Sequence, residues 1–131
     1  MLKSKSIQLI ALLFFLFIVW IIYSANVGNQ TIFFDFVSAI PFGDKLGHFF
    51  LFGIFTLFLN LALDFKPMNL FKKIPLGTVI ISICIILEEL SQVFFPNRTL
   101  DALDLIADIL GILTFTYIGF LFENKIPSFQ E

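Results

Sequence analysis

Hydrophobic residues fill this chain in four long blocks, separated by short polar punctuation. The blocks cover residues 7–25, 44–63, 74–95 and 100–122, each close to the 20 or so residues that a helix needs to cross hydrocarbon. The pattern predicts an all-α polytopic membrane protein: a four-transmembrane-helix bundle formed by one domain over residues 1–131. The first block follows Lys3 and Lys5, as a signal peptide would, but it is longer and bulkier than a signal h-region, and Ser24-Ala25-Asn26 is a poor cleavage site. It is predicted to be a retained span, with Trp20 and Tyr23 anchoring its far end at the interface. Between the first two spans, Ile32, Phe33, Phe34, Phe36, Val37 and Ile40 surround Asp35, which predicts a short helix lying on the membrane before Pro41 and Gly43 break the chain. Pro75 is placed in the first turn of the third span, where a backbone N–H has no helical partner to lose. Residues 64–73 and 96–99 are turns, and 123–131 form a polar tail.

Composition narrows the class further. A hydrophobic fraction of 59% with only 14% charged residues is too apolar for a water-soluble domain of this length. The net charge of −2 says nothing about partners, and no basic block suggests nucleic acid. Cys84 stands alone within the third block, so it has no intrachain disulfide partner and reads as a small buried apolar residue. The placement of cations matters more than their sum. With four spans, Lys3, Lys5, Lys66, Lys72, Lys73 and Lys125 fall on one side and only Lys45 and Arg98 on the other. Lys and Arg accumulate on the cytoplasmic face, so both termini are expected there, with the Asp44–His48 stretch and the Pro96 turn facing outward.

The candidate chemistry lies at those outward ends. Asp44 and His48 are four residues apart, Glu89 and Gln92 three apart, and Asp101, Asp104 and Asp108 follow an i, i+3, i+7 spacing, so each set occupies one helix face. At a rise of about 1.5 Å per residue, Glu89 and Asp108 lie roughly 10 and 12 Å below the ends of their spans, and His48 roughly 6 Å below its own. The result is a pit with a histidine near its rim and carboxylates at its floor. Asp44 and Asp101 also have a purely local reading as first-turn acids that complement the helix dipole. Glu89, Asp104 and Asp108 do not, because buried carboxylates must be paired, protonated or metal-bound. One structural alternative pairs Arg98 with Asp104 and Glu89. One histidine and several carboxylates could hold Zn²⁺, Mg²⁺ or Ca²⁺, but the chain has no HExxH, no histidine pair and no cysteine cluster, so no metal ligands are assigned. No nucleophile motif surrounds Ser91 or Thr99, which leaves catalytic residues and cofactors unassigned. Asn29-Gln30-Thr31 and Asn97-Arg98-Thr99 match the glycosylation triplet, which is common by chance. Gly111 and Gly119 give the fourth span a small-residue face for close packing.

Two segments resemble the VanZ-like family of small bacterial membrane proteins. Asp44-Lys45-Leu46-Gly47-His48-Phe49, followed by Phe52 and Gly53, is similar to the family's DKxxHF stretch. Glu88-Glu89 through Gln92, Pro96, Arg98, Asp104 and Asp108 to Gly111 is similar to its acidic-ExxQ, P-x-R, D-x-x-x-(N/D)-x-x-G pattern. The chain departs from that pattern at Asn97, where glycine is common, and carries Asp108 where asparagine is frequent. The resemblance implies a multi-pass protein of the bacterial cytoplasmic membrane, in a family named for a protein that raises resistance to teicoplanin. The functional expectation is an outward pit of Asp44, Lys45, His48, Glu89, Gln92, Arg98, Asp104 and Asp108 that recognises a lipid headgroup or other envelope component, with Lys45 and Arg98 attracting an anionic group such as phosphate. The alternatives are a membrane hydrolase or transferase acting on a phospholipid or envelope precursor, and a structural partner subunit in which these residues are interhelical glue.

Overall fold

The computed structural model describes residues 2–70 and 73–123. Lys72, Lys125 and the polar tail beyond residue 123 lie outside them. Five α-helices follow in order: α1 (Leu2–Val27), α2 (Ile32–Ser38), α3 (Gly43–Ala62), α4 (Leu76–Ser91, continued by a 3₁₀ turn over Gln92–Phe94) and α5 (Ala102–Glu123). Among the described residues there are no strands, only an isolated bridge between Pro67 and Pro75. Lys5–Val27, Gly43–Ala62, Leu76–Phe94 and Ala102–Glu123 are long and apolar enough to cross a membrane, as expected of a multi-pass membrane protein.

The helix ends show local chemistry that hydropathy does not resolve. Gly28, at φ 75°, closes α1 with a Schellman pair, its N–H donating to Ala25 O and that of Asn29 to Ser24 O. Thr31 caps α2 by accepting from Phe34 N–H. Two boundaries differ from the sequence expectation. Pro75 is the extended residue before α4, not part of its first turn. Helix α5 starts at Ala102, and Asp101 precedes it, its carboxylate accepting from Leu103 N–H in the manner of an N-cap.

Helices α3 and α5 form the most extensive pair and run parallel. Lys45 meets Asp104, His48 meets Asp108, and Phe49 meets Gly111, so contacts advance together along both helices. Glycine sets the separation. A Cβ on Gly111 would collide with the Phe49 backbone, and one on Gly53 would strike the Phe115 ring and Gly111 O. Helix α4 runs antiparallel to both, and α1 packs chiefly on α3. Ile18, Phe52, Phe55, Ile81, Ile85 and Ile112 make the buried apolar core.

A neutral polar node ties α3, α4 and α5 at the far end of the bundle. Asn60 Nδ2 donates to Thr78 Oγ1 at 2.9 Å, Asn60 Oδ1 accepts from Thr78 N–H at 3.1 Å, and the Thr78 and Thr116 hydroxyls share a 2.8 Å hydrogen bond. Asn60 thereby caps α4, which Pro75 cannot do for lack of a side-chain acceptor. The absence of a side chain at Gly77 leaves room for the Asn60 amide. The outer surface is apolar, with Leu13, Leu16, Ile83, Leu87, Leu113 and Tyr117 all exposed. That surface suits hydrocarbon, where helices need only satisfy their backbones internally. Cys84 lies on this face of α4 and is exposed, not buried as its apolar neighbourhood suggested. Helix rotation, which hydropathy leaves unspecified within a uniformly apolar block, accounts for the difference.

The glycine contact makes a testable distinction. Gly111→Ala should destabilise the detergent-solubilised protein by about 1–3 kcal/mol through overpacking. Gly47→Ala, whose Cβ would find its nearest neighbour at 3.9 Å, should be neutral or stabilising by up to about 1 kcal/mol. Thermal unfolding checks both, and equal midpoints for the two variants would contradict the close α3–α5 seam.

Candidate functional site

The parallel α3–α5 seam brings the first turns of two helices side by side, and short carboxylates on one reach cations on the other. Lys45 Nζ donates to Asp44 Oδ2 at 3.1 Å, to Asp101 Oδ2 at 2.6 Å and to Asp104 Oδ1. One turn deeper, His48 Nδ1 lies 2.9 Å from Asp108 Oδ1. Asp108 is fully buried and takes the Nδ1 side of the ring, which leaves Nε2 pointing elsewhere. Nε2 faces Asp104 Oδ2 at 3.7 Å and Asp44 Oδ1 at 3.9 Å.

Helix α4 and its turn supply a second half. Glu89 is buried and accepts from Asp101 N–H at 2.9 Å and from Gln92 Nε2 at 3.0 Å. Gln92 Nε2 also donates to Glu88 Oε2 at 3.0 Å. Glu88 Oε1 pairs with Arg98 Nη2 at 3.1 Å, and Arg98 Nη1 donates to Asn26 Oδ1 at 2.9 Å. The end of α1 is thus fastened to the Pro96 turn, a link that Asn97 reinforces by donating to Asn26 O at 3.2 Å. Arg98 is paired with Glu88, not with Asp104 or Glu89. Those two meet Lys45 and the Asp101 backbone because α4 turns Glu88, not Glu89, toward the loop.

All eight candidate residues fall in one connected group that runs from Arg98 through Glu88, Gln92, Glu89 and Asp101 to Lys45, Asp104, His48 and Asp108. Three members were not among the candidates. Glu88 and Asp101 were legible as acids within the same stretch, and their roles depend on helix rotation and on the N-cap position. Asn26 carried no signal, since nothing local to α1 marks it as an arginine partner. Among the described residues, Asp108 Oδ2 is the only buried side-chain oxygen or nitrogen without a hydrogen-bond partner. Asp101, at the helix entrance, has its carboxyl held below the usual range, chiefly by the Lys45 ammonium and then by Leu103 N–H. A depressed carboxylate contributes stability above its unfolded value and loses that contribution as pH falls through the folded one.

This polar group opens on a cavity of 660 Å³ between α1, α2, α3 and the Pro96 turn. Asp44, His48, Glu88, Gln92, Arg98 and Asp104 line one part of it, while Phe14, Phe17, Ile21, Phe33, Phe34 and Leu51 line the rest. Comparison with known proteins found no matching family model, no matching curated protein and no matching solved structure. The VanZ-like resemblance accordingly rests on the two motifs alone.

Removing one partner of a buried pair leaves the other charge uncompensated, at about 3–5 kcal/mol. Arg98 and Glu88 side chains are only 14% and 11% exposed. Arg98→Met should therefore lose most of its monodisperse yield in detergent, and Glu88→Gln in the same chain should restore much of it, whereas Glu89→Gln should not. Rescue by Glu89→Gln instead would contradict the pairing.

Proposed function

We propose that this chain is a VanZ-like protein of the bacterial cytoplasmic membrane whose outward cavity receives an amphiphile, a membrane lipid or lipid-linked envelope precursor, with its headgroup against the polar residues. One observation carries the reading: a single cavity combines an aromatic and aliphatic wall with a cluster of charged and amide side chains. Amphiphile sites need both, an apolar lining that buries chain surface and a few fixed polar groups that orient the head. Arg98 is the headgroup contact of choice. Its guanidinium has five donors, two of them engaged among the described residues, and it lines the cavity. Lys45 is ringed by three carboxylates and acts mainly to hold Asp44 and Asp104 in place. An effect on lipoglycopeptide susceptibility would follow if the amphiphile is an envelope precursor.

The enzyme alternative draws on one feature. His48 lines the cavity with its ring oriented by a buried aspartate, the arrangement of a general base. Turnover of the bound lipid, lost in His48→Gln with binding retained, would favour that reading over simple recognition.

Binding is tested with phosphatidylglycerol and a polyprenyl phosphate as probes, followed by native mass spectrometry of the purified chain. Arg98→Gln combined with Glu88→Gln, which keeps the pair neutral, should weaken retention of at least one probe about tenfold, a loss of about 1.4 kcal/mol. Unchanged retention of both in a well-folded variant would overturn the headgroup reading. Orientation has its own test. Thr99→Cys in a Cys84→Ser background should react with a membrane-impermeant thiol reagent in intact cells. Labelling only after the cells are opened would place the cavity on the cytoplasmic side.

A further inference from the structure

Three potential ligand atoms, one each from Asp44, His48 and Asp104, lie within 4.8 Å of one another. We infer that they form a binding site for one divalent transition cation of the zinc or manganese kind, built into the wall of the cavity. The inference needs no assumption about which amphiphile, if any, the cavity takes.

The donor directions converge. With Asp108 on its Nδ1 side, His48 turns Nε2 toward Asp104 Oδ2 and Asp44 Oδ1, and a neutral ring that donates to Asp108 offers its lone pair there. A carboxylate behind the far nitrogen is the usual support of a metal-bound histidine, fixing its tautomer and raising its basicity. Zinc donors at about 2.0–2.2 Å in a tetrahedron stand roughly 3.4 Å apart. The Nε2 distances of 3.7 and 3.9 Å stand close to that, and the three ligand atoms lie within 4.8 Å of one another before any ion draws them in.

Charge points the same way. Glu88, Glu89, Asp104 and Asp108 are largely buried in one network with two permanent cations, Lys45 and Arg98, while Asp44 and Asp101 stand at its exposed mouth. Holding four buried carboxylates beside two cations in a membrane requires protons or another cation. Asp108, nine-tenths buried and more, shows the shortfall directly: Oδ1 is held by His48 and Oδ2 has no partner. Lys45 does not block the site, because it bonds Asp44 Oδ2 and Asp104 Oδ1 while the opposite oxygens face the imidazole.

The three side chains are also accessible. All three ligands line the cavity, so an ion held by them keeps an open position toward it. Three protein ligands and one open position mark zinc sites that bind or transform something else. Imidazole favours a transition cation over calcium or magnesium.

The experiment uses the full chain in detergent, stripped with chelator and then equilibrated with Zn²⁺ alone. One zinc per chain should survive gel filtration in the native protein and in Asp35→Asn, which removes an exposed acid outside the network, and should be lost in His48→Gln and Asp104→Asn. Asp108→Asn should weaken binding by about 10–100-fold while still folding. Zinc lost equally from Asp35→Asn and His48→Gln would reveal diffuse attraction to acids and overturn the site. A folded native chain that holds no zinc would overturn it as well. A measurement on the native chain guards against variants that fail to fold. Co²⁺ should acquire the intense visible absorption of a low-coordinate nitrogen–oxygen site, and a spectrum like that of the aqueous ion would refute the inference.

Discussion

The close parallel approach of α3 and α5 is the constraint on which the other features rest. Gly111 against the Phe49 backbone and Gly53 against Phe115 bring two helix axes nearer than any larger residues would permit. Aspartate is the shortest acidic side chain, and only at that separation do Asp104 and Asp108 reach Lys45 and His48 directly. In hydrocarbon, apolar side chains gain little from leaving lipid for one another, so small-residue packing and interhelical polar contacts carry the association. Here the two are joined. The glycines permit the polar contacts, and the polar contacts hold the register in which the glycines face each other.

The charged group also depends on the helix entrances. Asp101 is at once the cap of α5, an ion partner of Lys45 and the donor of a backbone N–H to Glu89. One residue at one turn thus connects α3, α4 and α5. Truncating its side chain removes the cap and the Lys45 pair together while the backbone N–H stays with Glu89, so measured energies of its neighbours will not add.

Hydropathy and spacing made much of this legible. Four blocks of apolar residues correspond to four long helices, the run around Asp35 corresponds to α2, and the i, i+3, i+7 aspartates do share a face. What stayed hidden was rotation and long-range partnership. Within a block as uniformly apolar as that around Cys84, periodicity says nothing about which side meets lipid. The same ambiguity exchanged Glu88 and Glu89 as partners for Arg98, since adjacent helical residues point about 100° apart. Asn26 and Asn60 look alike in sequence, one at the end of a span and one inside another. Their partners, Arg98 and Thr78, come from folds of the chain that no local pattern encodes.

The Asn60–Thr78–Thr116 node has a mechanical consequence. Its hydrogen bonds join neutral groups, so neither acid nor salt weakens them. The opposite end of the same three helices is held by ions, every one of which responds to such conditions. The bundle is therefore built like a pair of tweezers. Its joint is electrically silent and its tips are charged, so a change in the balance of charge acts on the tips and leaves the bonds of the joint in place.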